Sequence, residues 1–234
     1  MLRFHVITLF PESFSYLGES IIGRAQEAKK IAVSFLNPRD FTTDTHRVTD
    51  DKAYGGGPGM VMKAEPVLKA VDKAIGKKSP RRRLANEAGK KNATVVMFTP
   101  TGKLFEKETA RDFARAGKDI VLVCGRYEGV DERVVDVLRD RGIEVKKISI
   151  GPYVLSGGEL PAMVFIDAVA RHIPGVLGKL ESLEETRIAS PETYTRPESF
   201  TYKKKKYRVP EVLLSGDHKK IEEWRALRKN GAAS

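Results

Sequence analysis

The chain has 234 residues, and its hydrophobic share of 41% is enough for a packed core, which excludes a wholly disordered protein. No apolar run reaches the roughly 18 residues of a membrane helix, and a single cysteine, Cys124, excludes an internal disulfide or a thiolate metal cluster. The net charge of +11 favours a polyanionic partner such as nucleic acid. Because the N-terminus MLRFHVITLF lacks a signal-peptide cleavage site, we expect a cytoplasmic protein with no membrane partner.

Short apolar segments alternate with helix-length segments along the first three quarters of the chain. Strand patterns occupy 4–9, 31–36, 94–99, 120–124 and 143–150, and helix patterns occupy 12–30, 65–76, 103–116, 130–140 and 160–173. Strands separated by helices predict an α/β fold with a mostly parallel sheet.

The composition changes after Gly178. Residues 179–210 are polar and contain three prolines, which predicts a linker followed by a small C-terminal module with a final helix near 221–229. Two basic runs stand out, at 77–91 and at 203–208 (KKKKYR). Either run alone is typical of a solvated loop, but two in one chain favour a phosphate-backbone partner.

Several common catalytic signatures are missing from the sequence. It contains no P-loop, no dinucleotide-binding glycine fingerprint and no serine in a nucleophile elbow. The four histidines are scattered without metal-ligand spacing. We therefore predict no metal site and no triad chemistry.

Glycine-rich turns are the positive signal. They occur at 50–60 (DDKAYGGGPGM), 99–102 (TPTG), 124–133 (CGRYEGVDER) and 149–161 (SIGPYVLSGGELP). Three of them follow predicted strands, and ligands of open α/β sheets bind beyond the carboxyl ends of the strands. Glycine lets the backbone approach a purine and a ribose closely, and Ile150, Tyr153 and Leu155 supply apolar walls. Cys124 is expected to be a buried small hydrophobe.

These turns belong to a longer set of stretches found in one protein family. They are FPE at 10–12, PRDFTTDTHRVTDD at 38–51, YGGGPGM at 54–60, CGRYEGVDERV at 124–134, SIGPYVLSGGELPAM at 149–163, RHIPGVLG at 171–178, YTRP at 194–197 and VPEVLLSGDH at 209–218. These stretches occur in the order typical of that family. The sequence resembles the bacterial tRNA (guanine-N1)-methyltransferases of the SPOUT superfamily, from residue 1 to about residue 225.

The resemblance implies a more specific fold than the pattern of strands and helices alone predicts. It implies a SPOUT-type parallel sheet with a deep trefoil knot around residues 94–160, plus a small, mostly helical C-terminal module. The implied domains are a catalytic domain at 1–178, a flexible linker and active-site loop at 179–192, and a shortened tRNA-binding module at 193–234. The family forms homodimers whose active sites lie at the subunit interface.

The resemblance also implies the reaction, in which S-adenosyl-L-methionine methylates N1 of guanine 37 of tRNA, just 3′ of the anticodon, and so supports the reading frame. Magnesium is associated with activity in the family, without a ligand assigned in this chain. The implied cofactor residues are Thr99, Pro100, Gly125, Tyr127, Glu128, Gly129, Ile150, Gly151, Pro152, Tyr153, Val154, Leu155, Gly157, Gly158 and Pro161. The implied substrate residues are Asp50, Tyr54, Gly55, Gly56, Gly57, Arg126, Tyr194, Arg196 and Ser215.

Two catalytic roles follow from the resemblance. Arg171 matches the family's arginine, which stabilises the charge that develops on guanine O6 as N1 loses its proton. The family's general base is an aspartate in the following loop, but residues 181–187 (ESLEETR) contain none. Alignment on the Ser/Thr position gives Glu185 this role, with Glu184 as the alternative. A third possibility is that both glutamates are only surface charges.

The sequence departs from the family pattern at three further places. Ala53 replaces the usual proline, Pro152 stands where aspartate is common, and the C-terminal module is short. The inserted Lys203–Lys206 are expected to offset lost tRNA contacts.

Two other functions stay open. One is a SPOUT enzyme acting on another RNA or base, which YTRP argues against. The other is a catalytically silent RNA-binding relative, which the intact cofactor turns argue against.

Overall fold

The computed structural model describes residues 1–57, 59–76, 93–177 and 192–231, with side chains described as far as residue 228. The chain divides into two compact units, Met1–Val176 and Leu177–Ser234. The basic run at 77–91 and both candidate bases, Glu184 and Glu185, lie outside the described residues.

The N-terminal unit alternates strands and helices. Its strands are β1 (Leu2–Ile7), β2 (Ile31–Leu36), β3 (Asp50–Lys52), β4 (Met60–Met62), β5 (Ala93–Leu104), β6 (Asp119–Val123) and β7 (Glu144–Ser149). Its helices are α1 (Ser20–Glu27), α2 (Ala64–Ile75), α3 (Lys107–Ala116), α4 (Arg133–Asp140) and α5 (Glu159–Ala170), with 3-10 helices at Pro11–Gly18 and Pro38–Phe41.

Five strands form one sheet in the order β2-β1-β6-β5-β7, and every pair in it is parallel. Along β6, Ile120 and Leu122 pack into a core with α1, α3 and α5, whereas Val121 and Val123 pack into a core with α2 and α4. Apolar residues on both faces explain the continuous apolar run of this strand. The predicted α/β fold with a parallel sheet is confirmed.

The predicted single helix at 12–30 is wrong. The structure has a 3-10 helix at Pro11–Gly18 and then α1, separated by an extended Glu19; Ser20, the first residue of α1, has a φ of 51°. A Cβ placed on Gly23 would lie 2.2 Å from the carbonyl oxygen of Gly18, so the turn between the two helices is too tight for any larger residue at that position.

The helix predicted at 103–116 begins later than expected. Residues Lys103 and Leu104 are the end of β5, where they pair with Ile148 and Ser149 of β7. Phe98 pairs with Ile148 as well, so residues 99–102 protrude from the strand. The sheet pairing thus overrides the amphipathic pattern, and α3 starts at Lys107.

The C-terminal unit contains β8 (Ser199–Tyr202), β9 (Lys205–Arg208), α6 (Glu211–Leu214) and α7 (His218–Gly231). The two strands form an antiparallel hairpin inside residues 193–234, the module that was expected to be mostly helical. None of its described residues, 192–228, is buried. No helix in the described part of the whole chain is long and apolar enough to span a membrane.

Candidate cofactor cleft and active site

A cleft of about 450 Å³ opens at the carboxyl ends of β5, β6 and β7. This volume lies within the range of roughly 300–1,000 Å³ that is usual for small-molecule sites. The walls are the protruding part of β5, the turn after β6 and the turn after β7. The structure thus brings together three of the four glycine-rich turns of the sequence.

Nearly all of the predicted cofactor residues line this cleft. They are Thr99, Pro100, Gly125, Tyr127, Glu128, Gly129, Ile150, Gly151, Tyr153, Val154, Leu155, Gly157, Gly158 and Pro161. Pro152 is exposed and is not a lining residue. Sequence reasoning missed the lining residues Met97, Phe98, Thr101, Val123, Val130, Glu132, Lys147, Ile148, Ser149 and Ser156. Most of these lie at strand ends or inside the turns already named. The position of a residue at the carboxyl end of a parallel strand is therefore the sequence signal that could have identified them.

Glycine is required at two points, in or beside the cleft wall, where two backbones meet. A Cβ on Gly158 would lie 2.5 Å from Cα of Cys124, and a Cβ on Gly102 would lie 2.6 Å from the nitrogen of Ile148. Both neighbours are backbone atoms that cannot swing aside. The amide of Gly158 donates a hydrogen bond to the carbonyl of Gly125 at 2.9 Å, which joins the turns after β6 and β7.

The turn after β7 is held by its own hydrogen bonds. The Ser149 hydroxyl donates to the carbonyl of Gly151 at 2.9 Å and accepts from the Gly151 amide at 3.2 Å. The Tyr153 hydroxyl donates to the carbonyl of Ile150 at 3.1 Å. These bonds fix the backbone of this wall, so the cleft is preformed rather than assembled by a ligand.

The fourth glycine-rich turn connects β3 and β4 beside the cleft. Gly55, Gly56 and Gly57 all have positive φ angles, of 86°, 80° and 109°, which explains why glycine occupies these positions. Tyr54 at the tip is fully exposed. We call β3, β4 and the turn between them the ribbon. The amide of Glu128 donates to the carbonyl of Met60 at 2.9 Å, which joins the ribbon to the cleft-lining turn after β6.

The ribbon also carries Asp50, which pairs with Met62 in the β3–β4 register. The amide of Met62 donates to the carbonyl of Gly129 at 2.9 Å. A substrate held by the ribbon would therefore lie next to the cleft. Nearby, the guanidinium of Arg133 donates to the Asp131 carboxylate and holds the pKa of that carboxyl below its usual value.

Cys124 follows β6 and is fully buried, as expected. Burial raises the pKa of its thiol well above the ordinary value, and the nearby Glu159 raises it further. A thiol that stays protonated at neutral pH is a poor nucleophile, so Cys124 serves as a packing residue.

Arg171 lies directly after α5, is half-buried, and does not line the cleft. Its amide donates to the carbonyl of Asp167 at 3.2 Å, which continues the last turn of the helix. It therefore stands at the end of the helix that begins beside the cleft.

Three predicted substrate residues belong to the C-terminal unit, and all are exposed: Tyr194, Arg196 and Ser215. The Tyr194 hydroxyl donates to the Glu192 carboxylate at 2.9 Å, and this bond raises the pKa of the phenol. The Ser215 hydroxyl donates to the carbonyl of Val212 at 2.7 Å.

Comparison with known proteins gives one family over the whole chain. The family model described as tRNA (Guanine-1)-methyltransferase TrmD matches residues 2–233. Proteins named tRNA (guanine-N(1)-)-methyltransferase from three bacteria are similar to the chain. The protein from Pseudoalteromonas atlantica is 43% identical, over 97% of this chain and 80% of its own length.

The proteins of that name from Carboxydothermus hydrogenoformans and Clostridioides difficile are both 44% identical over 96% of this chain. The matches cover 81% and 90% of the lengths of these two relatives. Taken with the family match over residues 2–233, these similarities show that the chain belongs to the tRNA (guanine-1)-methyltransferase family.

Proposed function

We propose that this chain methylates N1 of guanine 37 of tRNA with S-adenosyl-L-methionine as the methyl donor, and that it thereby supports maintenance of the reading frame in the cytoplasm. The observation that carries the proposal is the preformed cleft at the ends of β5, β6 and β7 in a chain of this family. A modification beside the anticodon would act where the reading frame is set.

The cleft fits a cofactor made of a purine, a ribose and an amino-acid chain. Its glycines carry no side chain, so a ligand can approach the backbone of the walls closely, and a Cβ on Gly158 would lie 2.5 Å from Cα of Cys124 in the neighbouring turn. Leu155 and Pro161 offer apolar surface, and Tyr153 and Glu128 offer polar atoms. When bound, S-adenosylmethionine supplies an electrophilic methyl group on a sulfonium.

The protein must do two things for this reaction. Guanine N1 carries a proton at neutral pH, so a general base has to remove it; we assign this role to Glu185, with Glu184 as the alternative. As the proton leaves, negative charge develops on O6, and we assign the stabilising cation to Arg171. Alignment of N1 with the methyl group accounts for the rest of the acceleration.

We assign tRNA contacts to two regions. The ribbon beside the cleft contributes Asp50, Tyr54 and Gly55–Gly57, with Arg126 in the neighbouring turn. The C-terminal unit contributes Tyr194, Arg196 and Ser215. We accordingly divide the chain into a catalytic domain at 1–178, an active-site loop at 179–192 and a tRNA-binding module at 193–234. Magnesium is assigned no ligand, and no group of three or more His, Cys, Asp or Glu suited to a metal occurs among the described residues.

We further propose a homodimer and a deep trefoil knot around residues 94–160. Support for the dimer comes from α5, which is apolar on nearly every face although Leu160 and Val164 on one side are 57% and 48% exposed. A helix that is hydrophobic all round belongs in an interior, so a second copy is the natural cover for this side. Support for the knot comes from the crossover order β6-β5-β7 and the protruding residues 99–102.

The assigned roles are tested by single-turnover methyl transfer, with the methylated base located by primer extension. Glu185→Gln should lower the rate roughly 10²- to 10⁴-fold, because it removes the base but keeps the side-chain size. Glu184→Gln is the matched control and should retain the native rate. Arg171→Ala should lower the rate without weakening cofactor binding. A native rate in Glu185→Gln would remove this residue from the mechanism.

A further inference from the structure

A buried carboxylate lies behind the cleft wall. Glu159 is the first residue of α5 and is 4% exposed, and Thr8, just after β1, is completely buried. The Thr8 hydroxyl donates to Oε1 of Glu159 at 2.8 Å and accepts from the amide of Phe10 at 2.9 Å. Both hydrogen-bonding functions of the hydroxyl are therefore used, and the carboxylate is held in one orientation.

The other side of the carboxylate faces Arg126, which lines the cleft. Nη2 of Arg126 lies 2.9 Å from Oε2 of Glu159, and Nη1 donates to the carbonyl of Ser156 at 3.2 Å. The guanidinium also lies over the ring of Phe10, 4.5 Å from its centroid. One arginine thus contacts the segment after β1, the turn after β7 and the start of α5.

The two cleft turns meet at this arginine. Arg126 and Gly157 form an isolated antiparallel bridge, and a Cβ on Gly157 would lie 2.4 Å from Nε of Arg126. Neither Nε of Arg126 nor Oε2 of Glu159 has an aligned hydrogen bond among the described residues, so the contact between the guanidinium and the carboxylate is mainly ionic. Removing either partner of a buried ion pair leaves the other charge buried and uncompensated, which destabilises the fold around it.

Burying the Glu159 carboxylate costs free energy of folding that an apolar side chain at the same place would not cost. A buried carboxylate is expensive to desolvate, and apolar residues of similar volume often give equal or greater stability. The start of α5 offsets part of this cost, since the helix N-terminus favours a negative charge. What the ion pair adds is a fixed direction for the Arg126 side chain, and with it the spacing of the two turns.

We propose that Thr8 and Glu159 are positioning residues that act through Arg126 to hold the turns after β6 and β7 at the separation that binds the cofactor. This rests on the proposed function, and it gives Arg126 a role in shaping the cleft in addition to its substrate contact. The consequence is that cofactor affinity depends on two buried side chains that do not line the cleft.

The test is calorimetric binding of S-adenosylhomocysteine to the full chain, together with KM and kcat for methyl transfer. Thr8→Val keeps the shape of the side chain and removes its hydroxyl, and Glu159→Gln removes the charge. Each should weaken binding roughly tenfold, because an unpaired buried polar group makes the bound arrangement of the turns unfavourable. The KM for S-adenosylmethionine should rise in the same variants.

Thr8→Ser, which keeps the hydroxyl, should restore native binding. Val71→Ala, in the core on the other side of the sheet, controls for lost stability: it should lower the melting temperature and leave affinity unchanged. Native affinity in both Thr8→Val and Glu159→Gln would overturn the proposal, as would an equal loss in Val71→Ala. If Glu159→Gln does not fold, Thr8→Val decides alone. Failure of the native chain to bind would instead overturn the proposed function.

Discussion

The two units of this chain differ in how they present themselves to a partner. The N-terminal unit has a sheet covered on both faces and a cleft whose walls are fixed by backbone hydrogen bonds. The C-terminal unit has no buried residue among 192–228, and Phe200 and Tyr202 are more than half exposed. The first unit has the concave shape that suits a small ligand, whereas the second exposes the kind of surface that suits a larger partner.

The hairpin of the C-terminal unit shows what kind of surface this is. Cross-strand pairing puts Phe200 and Tyr207 opposite each other, and their rings are stacked with centroids 5.5 Å apart. The Lys205 ammonium lies 5.4 Å from the centroid of the Tyr207 ring. Exposed aromatic rings accept unpaired bases and lysines neutralise phosphates, so the hairpin has the chemistry of an RNA contact.

Changing Gly158 should break the N-terminal unit most severely. In Gly158→Ala the new Cβ would lie 2.5 Å from Cα of Cys124, so the turns after β6 and β7 have to separate. We expect loss of measurable cofactor binding in calorimetry and a lower melting temperature. Gly18→Ala is the control, because a Cβ there meets nothing within 4 Å. Native cofactor binding in Gly158→Ala would contradict the rigid-wall account.

Removing the lysines of the hairpin should separate the two units functionally. Replacing Lys203–Lys206 together with alanine should weaken tRNA binding and lower the slope of log K against log salt by up to about 3 units, at roughly 0.7–0.9 per phosphate contact. Cofactor affinity should not change. Lys107→Ala, an exposed lysine on α3, serves as the single-charge control. An unchanged salt slope would exclude the hairpin from the tRNA contact.

Removing the aromatic pair of the same hairpin should have a different signature. Phe200→Ala and Tyr207→Ala should each weaken tRNA binding by about 1–3 kcal/mol if a base stacks on the ring. The salt slope should stay native, because no phosphate contact is lost. Filter binding over a salt series measures both quantities. Native affinity in both variants would limit the hairpin to an electrostatic role.

The smallest expected effect concerns the single thiol. Burial raises the pKa of Cys124, so the thiolate form is depleted at pH 8 and reaction with a thiol reagent should be far slower in the folded chain than in denaturant. A Cys124→Ser/Thr201→Cys variant moves the thiol to the exposed hairpin, where it should react at once. Equal rates for the two folded proteins would contradict the contrast between the units.

The core strands could be predicted because each is a short apolar run between more polar segments. Ile31–Leu36 was predicted with the bounds of β2, and the run ending at Cys124 differs from β6 by one residue at each end. The hairpin could not be predicted, because its two turn residues, Lys203 and Lys204, have φ angles of 46° and 64° where glycine or asparagine is usual. A run of lysines gives no turn signal.

The site was predictable to a similar degree. Glycines beyond strand ends marked the cleft, since backbone approach demands them. The Thr8–Glu159 contact joins residues 151 positions apart, and no local pattern indicates such a pair. Long-range polar contacts of this kind depend on the packing of the whole sheet, which periodicity does not reveal.

The most direct test of the central claim is methyl transfer from labelled S-adenosylmethionine to two unmodified tRNA transcripts. One transcript carries guanine just 3′ of the anticodon and the other carries adenine there. We predict labelling of the guanine transcript alone, at N1 of that base. Labelling of both transcripts, or of neither while the cofactor binds, would contradict it.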